Sequence, residues 1–203
     1  MIYIIRHGET ALNATAVVQP SDTPLNGRGK RQAQLLADHL AELGVAHVVA
    51  SDLLRAAMTA EPIALATSSS VEHTPLLQER NFGDIRGTPY AELDRDIFAQ
   101  GYEPPNGESV EVFDRRVREA WAYVVETRQR LDGTLAVVTH GLVCGSLLQQ
   151  SLELPPRMPA PELFANSSLT IVEQAAPHRV HLLNCVAHLD TAAADEGRVS
   201  SPV

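Results

Sequence analysis

Three short apolar runs in this chain each end abruptly in polar residues, and that syntax restricts it to a layered α/β fold. Ile2-Tyr3-Ile4-Ile5 runs into Arg6-His7-Gly8, Val45 to Ala50 runs into Ser51-Asp52, and Leu135 to Val138 runs into Thr139-His140-Gly141. Apolar, β-branched runs bounded by turn residues read as buried strands. Residues 27–43 carry Ala33, Leu36, Leu40 and Leu43 at helical spacing, with Gly44 placed to stop the helix. Ser51-Asp52 reads as the N-cap of a helix over 53–66, followed by a short strand at 71–73. Ser109 reads as the N-cap of a longer helix, with Val110, Phe113, Val117, Trp121 and Val124 as its buried stripe. A helix over 142–151 and strands near 168–173 and 179–184 complete the pattern. The expected fold is α/β, three-layered α/β/α around a mostly parallel sheet. Parallel strands joined by crossovers end on one rim, so Arg6-His7, Ser51-Asp52 and Thr139-His140 are expected to meet.

From 78 to 108 the texture changes. Gly83, Gly87, Pro89, Gly101, Pro104, Pro105 and Gly107 interrupt the chain, which reads as an irregular lid with one short helix near 89–99. Residues 1–189 read as one domain, and the Ala, Ser, Asp and Gly-rich stretch over 190–203 as a disordered tail. The formal net charge of -9 argues against nucleic acid or an anionic membrane as partner. No apolar run approaches the ~20 residues of a membrane span, and no secretory leader is visible. Cys144 and Cys185 lie far apart in apolar surroundings and read as buried reduced thiols. A cytoplasmic protein, monomeric or homodimeric, is the expectation.

His7 and His140 share one local pattern, an apolar strand before and a glycine after. Metal binding is one use of such a pair. Yet the chain has no His-x-x-x-His or Cys-x-x-Cys spacing, and Arg6 is a poor neighbour for a cation. Arginine beside imidazole points instead to an anionic ligand. Arg55, four residues beyond the strand end at Ser51, falls in the first turn of a helix, where free N–H groups and a guanidinium suit phosphate oxygens.

Six ordered motifs then carry a family resemblance. They are Arg6-His7-Gly8-Glu9-Thr10 with Asn13; Pro24-Leu25-Asn26 with Gly29, Gln32 and Ala33; Ser51-Asp52-Leu53 with Arg55-Ala56 and Thr59-Ala60; Leu77 and Glu79 with Phe82-Gly83 and Gly87; Gly107-Glu108-Ser109; and Val138-Thr139-His140-Gly141. Together they resemble the histidine phosphatase superfamily, the phosphoglycerate mutase-like family, from residue 2 to about 189. The resemblance implies a nucleophilic His7 that forms a phosphohistidine, a proton donor in Glu79, and phosphate oxygens held by Arg6, Arg55 and His140. It places Asn13, Gln19, Gly141 and Leu142 among the phosphate-contacting positions. It implies no metal and no organic cofactor, because two arginines and two histidines already supply positive charge.

The chain departs from the pattern in places. Ile85-Arg86-Gly87 stands where relatives carry Trp-Glu-Gly, so Arg86 either meets a second anionic group of the substrate or faces solvent. Leu12 and Pro20 replace a Trp and a Gly. His39, His47, His73, His178 and His181 lack motif neighbours and read as surface or packing residues, and His188 as structural. Between Gly87 and Gly107 the only basic residue is Arg95. So short a lid favours transfer to water, and the expected activity is hydrolysis of a small phosphomonoester. Phosphoryl transfer to a sugar acid by a mutase, or a non-catalytic phosphate-binding module, are the alternatives.

Overall fold

The structure is a computed structural model that describes residues 1–99 and 101–190. The stretch over 191–203, expected as a tail, lies outside the described residues. Six strands, β1 (Ile2–Arg6), β2 (Val45–Ser51), β3 (Ser70–Thr74), β4 (Thr134–Thr139), β5 (Leu169–Val172) and β6 (Val180–Cys185), form one sheet in the order β3-β2-β4-β1-β5-β6, and a one-turn helix α1 (Ala11–Ala14) follows β1. The first four in that order run parallel, and β5 and β6 are antiparallel additions at one edge. Register sets the rim: Arg6 lies beside Thr139, and Ala50 beside Val138. Three strand ends therefore stop at one level, as the alternating pattern requires.

Side chains alternate across the sheet because successive residues of a strand point to opposite faces. Tyr3 and Ile5 pack with Leu36 and Leu40 of α2 (Gly27–Leu40) and Ala60 and Ile63 of α3 (Leu54–Thr67), while Ile2 and Ile4 join the cluster on the opposite face. That cluster holds Phe113, Val117, Trp121 and Val124 of the long helix Val110–Gln129 and Val143 and Leu147 of the helix Gly141–Gln150. The stripe expected from Val110 onward is thus the buried one, although Val110 itself lies at its edge. Ser109 caps its helix as expected, its hydroxyl accepting the Val112 N–H at 3.3 Å.

Four expectations change. No α-helix forms over 89–99: Tyr90–Glu92 make one 3-10 turn, and the Asp96 carboxylate accepts the Phe98 N–H at 2.8 Å. That local bond competes with helix formation, and Leu93 and Ile97 instead join a small separate cluster with Val18, Phe82, Ile85, Tyr102 and Leu142. The N-cap position before α3 is Leu53, with no side-chain cap: the Ser51 hydroxyl accepts the Leu53 N–H and meets His140, and the Asp52 carboxylate accepts from Gln78. The first long helix ends at Leu40 instead of Leu43. Cys144 is buried but Cys185 only half-buried, and both are free thiols. Among the described residues no helix is long and apolar enough to cross a membrane.

A backbone seam docks α2 against the end of β1. A Cβ on Gly8 would lie 2.6 Å from the Gly29 carbonyl oxygen, and one on Gly29 only 2.0 Å from that of Glu9. Any side chain there would force the two segments apart. The Glu9 N–H donates to Gln32 Oε1 at 2.9 Å, the Asn26 N–H to the Glu9 carbonyl at 3.0 Å, and Asn26 Nδ2 to the Glu9 carboxylate at 2.9 Å. Thr10 and Leu25 form an isolated antiparallel bridge beside it. These contacts give the motif residues Gly29, Gln32 and Asn26 a common purpose: they fix where His7 sits.

Candidate active site

His7 leaves the end of β1 with its N–H bonded to the Thr139 carbonyl at 2.9 Å. Its own carbonyl accepts from Asn166 Nδ2 at 3.1 Å and from the Ser167 N–H at 3.2 Å. The Gly8 N–H donates to Thr59 Oγ1 at 3.0 Å, and that hydroxyl donates to the Arg55 carbonyl at 2.8 Å. The backbone around His7 is therefore fastened from three elements. The ring is 2% exposed, with Nδ1 at 2.7 Å from the Gly8 carbonyl oxygen. A carbonyl can only accept, so Nδ1 carries the hydrogen and Nε2 keeps its lone pair.

His140 is fully buried, its ring centroid 5.1 Å from that of His7. Its Nε2 lies 2.8 Å from Ser51 Oγ, which already accepts the Leu53 N–H at 3.2 Å. With the serine hydrogen given to Nε2, the His140 proton sits on Nδ1. That nitrogen has no hydrogen-bond partner among the described residues, and neither have Arg6 Nε and Arg55 Nε. Arg6 is otherwise held by the Phe164 carbonyl and Arg55 by that of Pro20. A buried polar group without a partner costs about 1–3 kcal/mol, more when charged. Three such donors around one imidazole mark a place prepared for an anion.

Electrostatics agree with that geometry. Burial, then Arg55 and Arg6, hold the His7 imidazolium well below the ordinary histidine range, and burial with Arg55, His7 and Arg6 does the same to His140. Both rings are neutral at physiological pH. Arg55 is pushed down to about 10, chiefly by burial, and stays charged.

Glu79 follows the 3-10 turn Pro75–Leu77, which the Thr139 hydroxyl ties to the sheet through the Leu77 carbonyl at 2.8 Å. Its carboxylate accepts the Leu142 N–H and the Arg80 N–H, each at 3.2 Å. Burial raises its pKa and outweighs those two bonds and the charges of Arg55 and Arg6. The competition between burial and arginines, open in the sequence, goes to burial in direction. Arg116 of α4 (Val110–Gln129) holds the same turn by donating to the carbonyls of Leu76, Gln78 and Glu79, and pairs with Glu108 at 2.7 Å. Glu108 in turn accepts the Asn81 N–H at 2.8 Å.

The remaining sequence-predicted positions line the same cavity. Asn13 Oδ1 takes the Thr10 N–H at 3.2 Å and Asn166 Nδ2 at 3.2 Å, and among the described residues its own amide hydrogens meet no acceptor. Gln19 Oε1 accepts from the Thr10 hydroxyl at 2.9 Å. Gly141 opens α5 (Gly141–Gln150) and has no side chain to displace Arg6, whose Nε would sit 3.3 Å from a Cβ there. Leu142 contacts the site through its N–H, which is given to Glu79. Arg86 is exposed at the cavity wall, where its charge acts on Arg55.

Ser51, Asn166 and Arg116 carry parts that sequence reasoning missed. Ser51 stood inside a quoted motif, but as a helix cap. Nothing local marks Asn166 or Arg116, whose partners lie 159 and 38 residues away. His39 and His188 stack on each other, 5.8 Å apart, in keeping with a structural role. Among the described residues no group of three or more His, Cys, Asp or Glu could hold a metal ion.

Comparison with known proteins shows the family. Residues 2–185 match the model of the histidine phosphatase superfamily (branch 1). A Yersinia enterocolitica protein named "Probable phosphoglycerate mutase GpmB" is 35% identical over 96% of this chain and 97% of its own length. The solved mycobacterial glucosyl-3-phosphoglycerate phosphatase in complex with VO3 is 27% identical, with a TM-score of 0.77 over 91% of this chain and 98% of that one. YhfR of Bacillus stearothermophilus is likewise 27% identical, with a TM-score of 0.80 over 93% and 98%. The neutral histidine pair, the arginines around it and the whole-chain match lead to one conclusion: this chain belongs to the histidine phosphatase superfamily, branch 1.

Proposed function

We propose that this protein hydrolyses phosphate monoesters by way of a phosphohistidine on His7. The observation that carries the reading is the fixed, neutral imidazole of His7, with its free Nε2 among buried donors that the protein itself leaves unpaired. Nε2 attacks phosphorus, the ester P–O bond breaks, and the protonated Glu79 gives its proton to the departing oxygen. Glu79, now a carboxylate, takes a proton from water, whose oxygen attacks phosphorus and breaks the P–N bond. Phosphate leaves, and His7 and Glu79 return to their starting states. Arg6, Arg55, His140 Nδ1 and Asn13 hold the nonbridging oxygens, with Gln19 and the start of α5 beside them, and offset charge that grows in the transition state.

Water as the final acceptor is supported by the lid. Its Arg95 pairs with exposed Asp94 at 2.9 Å, and Tyr90 and Phe98 are 44% and 49% exposed. Such a lid leaves the site open to solvent. Rapid acid quench after mixing with radiolabelled phenyl phosphate tests the reading. An acid-labile, base-stable phosphoenzyme is expected, lost in His7→Ala together with all but about one ten-thousandth of turnover. Full turnover in His7→Ala would sink the mechanism. Phosphorylation of added glycerate faster than phosphate release would assign the protein to mutase chemistry instead.

A further inference from the structure

The cavity around His7 has a volume of about 930 Å³, near the upper end of the ~300–1,000 Å³ typical of small-molecule sites. A phosphoryl group fills only a small part of it. Its wall also carries Tyr90, beside the reacting end, and Phe82, Phe98, Phe113, Leu148 and Leu154. Of the lining cations, Arg80 feels the charge of Asp114 in this part. Arg6 and Arg55 flank His7, and Arg86 acts on Arg55. Arg80 has its guanidinium committed to the carbonyls of Glu108 at 3.0 Å, Ile97 at 3.0 Å and Tyr102 at 2.6 Å. The charged groups that remain on the wall are carboxylates, Asp114 and Glu162.

Asp114 is the more organised of the two. Arg118 donates to Gln150 Oε1, Gln150 Nε2 donates to Ser146 Oγ at 2.6 Å, and the Ser146 hydroxyl donates to Asp114 Oδ1 at 2.8 Å. Every hydrogen in this chain points toward Asp114, which fixes the carboxylate. Its Oδ2 has no hydrogen-bond partner among the described residues. Ser146 is 7% exposed and lies on α5 six residues beyond His140. At about 1.5 Å rise per residue that is roughly 9 Å along the helix from the reacting end, about the length of a substituted aromatic ring. A three-carbon phosphorylated acid is shorter than that span and would leave Asp114 wet.

We infer that the leaving group this cavity is built for is a ring-sized alcohol or phenol that lies along α5 and gives a distal hydroxyl or ammonium hydrogen to Asp114. The inference rests on the phosphomonoesterase reading and adds its substrate class, with Asp114 as the specificity-determining residue and Ser146 as the residue that positions it.

Steady-state kinetics on three probes test it: tyramine phosphate, its analogue without a distal donor 4-ethylphenyl phosphate, and 3-phosphoglycerate. The wild type is expected to show kcat/KM at least about tenfold higher for tyramine phosphate than for 4-ethylphenyl phosphate, the scale of a hydrogen bond to a charged group, and lowest for 3-phosphoglycerate. In Asp114→Asn the ratio between the two aryl esters should fall about tenfold, mainly through KM, and in Ser146→Ala by a smaller factor. Because the readout is a ratio within one protein, partial loss of active enzyme does not mimic it. A wild-type ratio near one, a ratio that Asp114→Asn leaves in place, or preference for 3-phosphoglycerate overturns the inference while hydrolysis itself stands. No turnover of any ester and no phosphoenzyme would instead remove the functional reading beneath it.

Discussion

The two ends of the cavity are built on different principles. The reacting end is assembled from strand termini and the first turns of helices: His7 after β1, Ser51 at the end of β2, His140 after β4, and Arg55 in α3. Its groups are buried and fastened by backbone contacts from several elements. The leaving-group end is assembled from the irregular stretch between Gly83 and Gly107 and from the segment 151–168, with the side of α5 between them. Tyr90 and Phe98 there are exposed, and the small cluster beside them holds just three buried members, Val18, Phe82 and Ile97. Chemistry is placed where the fold tolerates no displacement, and substrate contacts where backbone change costs little.

Glu79 sits at the boundary between these ends, and its replacement gives the largest effect. Glu79→Gln is expected to lower kcat by about 10²–10⁴-fold for a poor leaving group, the usual scale of general acid catalysis. The sign of the pH dependence follows from the shifts. His7 must be neutral, and its pKa is depressed, so activity is lost only when pH falls well below the ordinary histidine value of 6.5. Glu79 must hold its proton, and its pKa is raised above 4.5, so activity falls as pH climbs through that elevated value. Glu79→Gln should abolish the alkaline limb; a profile that still falls at the same pH would assign that limb to another group.

Arg116 fastens the lid side to the reacting end, and Arg116→Met comes next. It frees three carbonyls around Glu79 and leaves Glu108, itself only 15% exposed, without its cation. A loss of roughly 2–3 kcal/mol in urea unfolding is expected, below the ~3–5 kcal/mol of a fully buried pair because both partners touch solvent. A fall in kcat of about tenfold should accompany it, with the Glu79 limb moved toward ordinary carboxylate values. Unchanged stability would show that the two ends are independent. Phe98→Ala is expected to be the mildest, within about 0.5 kcal/mol of wild-type stability because the ring is 49% exposed, yet raising KM for aryl esters about threefold. A large stability loss there would mean that the lid belongs to the core.

Legibility in the sequence follows the same division. β1, β2 and β4 were readable because each is an apolar run whose burial follows from local pattern, and the meeting of their ends follows from parallel topology. His7, Arg55, Glu79 and His140 stand out because six motifs occur in order, and the structure brings the four together at one rim. The expected helix over 89–99 failed because Asp96 offers its own turn bond and Leu93 and Ile97 turn to a different cluster. Ser51 was misread because its hydroxyl could serve either the next helix or a histidine 89 residues away, and local sequence does not rank the two. Arg116 looks like any charged residue on a helix flank until the fold brings three carbonyls to it.

The seam where Gly8 meets Gly29 has a consequence for how such a site can be altered. Because the bonds of Glu9 to Asn26 and Gln32 and the bridge from Thr10 to Leu25 close the chain on itself, the stretch between is a loop with a pinned neck. Its exposed points, Thr15 to Ala16 and Ser21 to Asp22, can lengthen or shorten at little entropic expense. His7 stays tied to β4 and α3 through the Thr139 carbonyl and Thr59, but such a change must preserve the Pro20 carbonyl that holds Arg55 and the Asn13 bond to Asn166. The fold thus separates inheritance of the reaction from revision of one wall of its cavity, and a new substrate can be accommodated there without reopening the question of where His7 stands.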